Sequence, residues 1–327
     1  MLNKFFKRLL KPLKCISSNT SLTKPDSEYL YVILPYFNYC KYKRRYELFV
    51  QFVKSMKDYP NVRVVITEGA VEGEGYQLPR LDCFLHIRNV IPSQLWIKEN
   101  LINIAVYQLP DNWKYMAWID ADLTFTDPYW VEHTLKSLED YDIVQLFNEC
   151  ANLGPNGEIL KIDKSFGYMY RKSGKPYNKT SRYGFWHPGY AWACTRNAYD
   201  KMGGLIEFGI LGSGDRHMAL ALIGLVDYSY PGTIHSNYKA LLHVFQDKCI
   251  SLRLGYVHGK ILHHFHGSIA DRKYVERWNI LIHLQYDPLT DIYKNNKGVL
   301  GLTMSGKRLE NPLKQYFVTR KEDGTKA

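Results

Sequence analysis

Apolar residues along the chain fall into two kinds of run, and the two kinds alternate. Tyr29 to Leu34 is apolar without a break and stops at Pro35, the pattern of a strand buried on both faces. Tyr42 to Met56 follows, with Tyr46, Phe49, Val50, Val53 and Met56 in helical register. Val62 to Thr67 is β-branched and ends at Glu68-Gly69, and Cys83 to Val90 is a third strand candidate. Ser93 to Tyr107 reads as a helix, with Ser93 as cap and Leu95, Trp96, Leu101, Ile102 and Ala105 facing inward. Tyr115 to Ile119 is the next strand, Asp127-Pro128 opens a helix that runs to Leu138, and Asp142 to Phe147 is strand again. Such alternation predicts an α/β protein with a mainly parallel, doubly wound sheet flanked by helices.

The pattern loosens over residues 151–189, where glycine and proline recur; so long an irregular segment suits a binding loop or lid. Tyr190 to Thr195 resumes as strand, and Arg196 to Met202 and Asp215 to Gly224 read as helices around glycine turns. A longer helix covers Ser236 to Cys249, Tyr256 to Phe265 alternates like a strand, and Asp271 to Gln285 is helical. No internal repeat is present. After Asp287 the chain turns polar, and the last eight residues or about that many are expected to be disordered. At the other end, Leu2, Phe5, Phe6, Leu9, Leu10 and Leu13 lie opposite Lys4, Lys7, Arg8, Lys11 and Lys14: a basic amphipathic helix interrupted by Pro12. It is too short and too charged to span a bilayer, and it suits the surface of an anionic membrane, a frayed terminus or a helix docked on the domain. The organisation expected is a helix over 1–16, a polar linker over 17–27, one domain over 28–290 and a C-terminal extension over 291–327.

Composition narrows the partners. The net charge of +11 favours an anionic one. Helix-turn-helix, zinc-finger and aromatic RNA-binding signals are missing, so nucleic acid is not expected. Six scattered cysteines without a Cys-x-x-Cys pair read as reduced thiols in a cytosol-facing protein. Asn178-Lys179-Thr180 is a formal glycosylation sequon, taken as chance without a secretory signal. The lack of Gly-x-Gly-x-x-Gly argues against a dinucleotide-binding Rossmann domain.

Four groups of residues carry candidate chemistry. Asp120 and Asp122 follow the apolar run Tyr115 to Ile119, at the end of a strand where open α/β sheets bind ligands. Continued strand alternation puts both on one side, where they suit Mg²⁺ or Mn²⁺ and, through it, a diphosphate. The plainer alternative is one capping carboxylate and one exposed one. His264 and His266, in His263-His264-Phe265-His266-Gly267, share a face of the later strand, and either imidazole completes such a site, with His266 favoured because Gly267 leaves room beside it. A zinc hydrolase would need a His-Glu-x-x-His or cysteine-rich ligand set that is missing. Asp215, after Gly203-Gly204-Leu205 and Gly212-Ser213-Gly214, is either a helix N-terminal carboxylate or a general base for an acceptor hydroxyl. Lys98 and Asn103 on one helix, and Arg272 and Arg277 after the histidines, offer polar and cationic contacts to a diphosphate or simply a solvated face.

Together these segments, with Val32-Ile33-Leu34-Pro35-Tyr36-Phe37-Asn38, resemble glycosyltransferases of the GT-A fold over Tyr29 to Tyr286. The resemblance implies a single-domain, Rossmann-like α/β fold with a mixed, mainly parallel sheet. It implies a hexosyltransferase that moves a sugar from a nucleotide-diphosphate donor, by family habit UDP-linked, to a hydroxyl of a glycan, protein or lipid. On it, Pro35, Tyr36, Asn38 and Glu68 hold base and ribose. Asp120 lies near the ribose or a metal-bound water, Asp122 binds Mn²⁺ or Mg²⁺, and His266, or His264 in its place, adds a metal contact. Asp215 is the base of an inverting reaction, with Gly204 in the acceptor region. Trp186 and His187 cover the donor sugar. The family often carries an acidic pair at the base, whereas here Gly214 precedes Asp215. A metal-dependent phosphoester hydrolase or nuclease, and a non-catalytic nucleotide-sugar binder, are the competing readings.

Overall fold

Leu30 to Leu34 are at most 1% exposed, because the strand that carries them, β1 (Leu30–Phe37), has covered faces on both sides. Tyr31, Ile33 and Phe37 enter one hydrophobic cluster, and Leu30, Val32, Leu34 and Tyr36 the other. A strand sandwiched in this way needs no polar positions, hence the unbroken apolar run. The protein is described by a computed structural model, which covers residues 29–172, 177 and 186–324. The basic helix and linker expected over 1–27, the sequon at Asn178 and the last three residues lie outside the described residues.

β2 (Val62–Val71) and β3 (Leu85–Ile91) extend the sheet in parallel on one side of β1, and β4 (Tyr115–Ile119) lies parallel on the other. β5 (Leu123–Phe125) continues from β4 into a second sheet. β6 (Ile143–Gln145), β7 (Glu149–Leu153), β8 (Ile159–Lys164), β9 (Ala191–Thr195), β10 (Leu254–Tyr256) and β11 (Lys260–His263) complete both sheets. The seven-stranded order is β10-β6-β9-β4-β1-β2-β3, with β9 antiparallel to both neighbours and every other pair parallel. The expected mixed, mainly parallel α/β architecture is therefore the one observed. The second sheet runs β5-β11-β7-β8, and β12 (Ile292–Lys294) pairs with β13 (Leu300–Leu302) in a small hairpin.

Nine α-helices among the described residues cover the sheets: α1 (Lys43–Ser55), α2 (Lys98–Val106), α3 (Trp130–Asp140), α4 (Phe166–Lys172), α5 (Arg196–Met202), α6 (Gly214–Leu222), α7 (Ser236–Cys249), α8 (Trp278–His283) and α9 (Glu310–Thr319). None of the helices is long and apolar enough to cross a membrane. All nine residues of α2 are buried, including Lys98, Glu99, Asn100 and Asn103.

Three expectations need correction. Residues 151–189 are not irregular throughout, because β7, β8 and α4 occupy much of the stretch before residue 173. Ser93 does not cap α2; its hydroxyl accepts from the Leu302 amide at 3.1 Å and ties down the hairpin, and the helix starts five residues later. The chain after residue 290 is no appendage: Ile292, Val299, Leu300, Leu309 and Leu313 belong to the main core. Nor is its end loose as far as residue 324, since Arg320 and Glu322 are buried there.

Candidate active site

A cleft of about 740 Å³ opens where β4 ends. Asp120, Ala121 and Asp122 lie just past the strand, so alternation stops and the two carboxylates part company. Asp122 is steered by the second sheet. β5 pairs antiparallel with β11, His263 opposite Leu123, and the His264 amide donates to the Asp122 carbonyl at 2.8 Å. This brings the end of β11 against Asp122. His266 Nε2 lies 2.8 Å from Asp122 Oδ2, and His263 Nε2 lies 3.8 Å from it. One donor atom from each of Asp122, His263 and His266 falls within 4.8 Å of the others.

His264 takes no part. Its ring nitrogen meets the Thr124 hydroxyl at 2.8 Å. The pairing of His264 with His266 fails because β11 ends at His263; beyond it the chain turns, and the i, i+3 pair His263 and His266 converges instead. Gly267, at φ +84°, bends the chain just past His266.

The Asp122 group has the chemistry of a cation site. Asp122 Oδ1 is buried and has no hydrogen-bond partner among the described residues. An ionised oxygen in that state is costly unless a cation meets it. Burial works to raise the Asp122 carboxyl, but the His266 and His263 imidazoles and Arg272 outweigh it and hold it well below the usual range. Burial also lowers His263 to about 3, which keeps its imidazole neutral and able to ligate. Its Nδ1 donates to Asn152 Oδ1 at 3.0 Å, leaving Nε2 for the site; Asn152 in turn is held by Tyr190 and Asp163. Two imidazoles and one carboxylate suit Mn²⁺ better than Mg²⁺, which prefers oxygen.

Asp120 faces the other way. Lys98 Nζ lies 2.7 Å from Asp120 Oδ1 and 3.0 Å from Asp215 Oδ2, so the expected diphosphate contact of Lys98 is instead a bridge between carboxylates. Asp120 therefore stands outside the three-residue group that could hold the metal. Burial raises the Asp120 carboxyl against the pull of Lys98. Burial, with Asp215 beside it, pushes Glu99 up to about 8. Asp215 enters on the first turn of α6, delivered by Gly212 and Ser213 at φ +91° and +77°. A Cβ on Gly214 would lie 2.2 Å from Glu99 Oε1, so the glycine makes room for a carboxylate from α2.

Pro35, Tyr36, His187 and Arg272 also line the cleft. His187 stacks on Tyr190 at 4.0 Å, and burial lowers it to about 4. Arg272 Nη2 lies 2.8 Å from His266 Nε2, while its buried Nε has no hydrogen-bond partner among the described residues. Arg277 donates to Ser213 Oγ at 2.6 Å and to Tyr316 Oη at 3.1 Å. Both arginines are nine-tenths buried and line the cleft, where they contribute positive charge.

Five other expected residues do not line it. Asn38 braces its own loop through Tyr42 and Tyr36. Glu68 accepts from the Gln77 and Leu78 amides at 2.6 and 2.8 Å and meets His86 at 3.0 Å. Asn103 joins Leu205 and Tyr199, with Gly204 packed on its amide, in one buried joint. Trp186 packs edge-on against Phe166 at 5.3 Å in the core. These polar side chains satisfy backbone that local sequence does not reveal.

No family model and no curated protein matches the chain. Solved structures do. Among them are the catalytic domain of Drosophila β1,4-galactosyltransferase 7 in complex with xylobiose (14% identity, TM-score 0.36, 70% of this chain and 65% of that chain) and mannosyltransferase PcManGT from Pyrobaculum calidifontis with GDP-Man and Mn²⁺ (14%, 0.39, 87% and 69%). A third is glucosyl-3-phosphoglycerate synthase from Mycobacterium tuberculosis with Mn²⁺, UDP and glucosyl-3-phosphoglycerate (10%, 0.40, 88% and 88%). The chain spans 65% of the length of the fly domain, a little under two thirds.

Proposed function

We propose that the protein is a metal-dependent glycosyltransferase of the GT-A type, taking a nucleoside-diphosphate sugar as donor and a hydroxyl as acceptor. The observation that carries this reading is the convergence of Asp122, His263 and His266, with an orphaned carboxylate oxygen, on the floor of the cleft that Asp215 also lines. Asp122, His263 and His266 would hold a divalent cation, which would supply charge neutralisation for a diphosphate leaving group. Arg272 and Arg277 supply further positive charge, already desolvated and therefore strong. Asp215, held by Lys98, takes the proton of the acceptor hydroxyl, and attack opposite the leaving group inverts the anomeric centre. His187 and Tyr190 form a stacked wall that keeps water from the donor sugar. UDP is the proposed carrier, with Tyr36 beside the base and Mn²⁺ as the ion.

Two histidines and a carboxylate also serve non-haem iron. The acid cluster and the buried arginines, which suit an anionic donor and a hydroxyl acceptor, favour the transferase. Thermal shift tests this: UDP with Mn²⁺ should stabilise the protein, UDP with a chelator should not, and Asp122→Ala should lose the effect. Stabilisation of the Asp122→Ala variant equal to wild type would remove Asp122 from the metal site. Release of UDP from a panel of UDP-sugars, dependent on Asp215, is expected; none from any nucleotide sugar would reject the activity.

A further inference from the structure

His266 meets a second carboxylate. Glu322, fully buried near the end of the chain, places Oε2 3.7 Å from His266 Nδ1, on the ring nitrogen away from Asp122. Two arginines fix it: Arg45 donates to both oxygens at 2.6 Å, and Arg320 Nε donates to Oε1 at 2.7 Å. The segment around it is tied down as well. Asp323 accepts from the Lys43 and Arg44 amides at 2.9 and 2.7 Å, capping α1, and the Lys321 amide donates to Tyr42 Oη at 3.1 Å. The segment lies on the turn after His266, where a Cβ on Gly267 would come within 2.7 Å of the Lys321 carbonyl and 3.0 Å of Glu322 Cα.

We propose that Glu322 is a positioning residue for the metal ligand His266. The inference rests on the metal reading above. An imidazole that ligates through Nε2 must carry its proton on Nδ1. A fixed negative charge facing Nδ1 selects that tautomer, aims the ring and makes Nε2 a better donor. At 3.7 Å the contact acts by charge rather than as a hydrogen bond. The end of the chain thereby completes a site whose ligands lie on β11 and beyond β4.

Calorimetric titration of the full-length protein with MnCl₂ tests this, with circular dichroism to establish folding. Glu322→Gln should weaken Mn²⁺ binding about ten- to a hundred-fold. Glu322→Asp, which keeps the charge for Arg45 and Arg320 but draws it back from His266, should also weaken it and guards against a Gln variant that does not fold. Asp323→Asn, on the same segment but away from His266, should bind as wild type. A folded Glu322 variant with wild-type affinity overturns the proposal, and so does an Asp323→Asn loss as large as that of Glu322→Gln. Mn²⁺ binding lost in Asp122→Ala but intact in both Glu322 variants overturns this inference alone. A wild-type protein that binds no Mn²⁺ overturns the metal reading with it.

Discussion

Lys98→Met removes the ammonium that Asp120 and Asp215 share while keeping the length and apolar stem of the side chain. The Lys98 side chain is 7% exposed, and Nζ sits 2.7 and 3.0 Å from the two carboxylates, with Glu99 adjacent in sequence. Deleting one partner of a buried ion pair costs about 3–5 kcal/mol. The two aspartates keep 33% and 22% of their side chains open to water, which screens the bare charge and places the expected loss near the lower figure, about 3 kcal/mol at neutral pH. The loss should depend on pH. Without the ammonium, the Asp120 carboxyl, already raised by burial, loses the charge that pulls it down and rises further above its unfolded value. A group raised on folding contributes stability that is present at low pH and lost as pH rises. The penalty should therefore shrink toward about pH 5 and grow toward about pH 8. Urea unfolding of wild type and variant across that range measures it. A neutral-pH loss under about 1 kcal/mol, or a penalty flat in pH, would show that the ammonium does not hold the acids together.

Glu99→Gln replaces a carboxyl that burial raises from 4.5 to about 8 in the folded protein. The contribution of that group is complete below its ordinary value and disappears as pH climbs through about 8. The variant should therefore gain stability relative to wild type between those limits, by denaturant titration; a constant difference rejects the assignment. Gly214→Ala drives a methyl to 2.2 Å from Glu99 Oε1 and should cost about 1–3 kcal/mol by overpacking. In a Glu99→Ala background the same change should cost less than about 1 kcal/mol; equal penalties in the two backgrounds would show that the strain lies elsewhere.

Local pattern revealed the framework well where one physical cause dominated. Tyr115 to Ile119 is strand over those residues because its faces are covered on both sides, and Arg196 to Met202 and Ser236 to Cys249 are helices with the expected bounds. Asp122, His266, Asp215 and Arg272 all line the cleft. What stayed hidden depended on where a strand stops or on a partner far along the chain. His263 was passed over for His264 because alternation was carried past the end of β11, although the i, i+3 spacing to His266 and the following glycine were visible. Glu99 and Glu322 gave no local signal: one reaches the turn that carries Asp215 from another helix, the other reaches His266 from 56 residues away in sequence. Lys98 was assigned to a diphosphate, and only packing reveals the acids on either side of it.

The helix that brings Lys98 and Glu99 to the cleft is enclosed on every side. With no wetted face, it cannot slide or roll without opening the interior around its whole circumference. Lys98 and Glu99 therefore sit on a part of the molecule with little room to yield. Four other residues that line the cleft differ: Tyr228, Ile269, Tyr274 and Val275 are exposed. For the proposed transferase, a change of acceptor is work for those four positions, and the same exchange attempted along the enclosed helix would be paid in folding before selectivity changed.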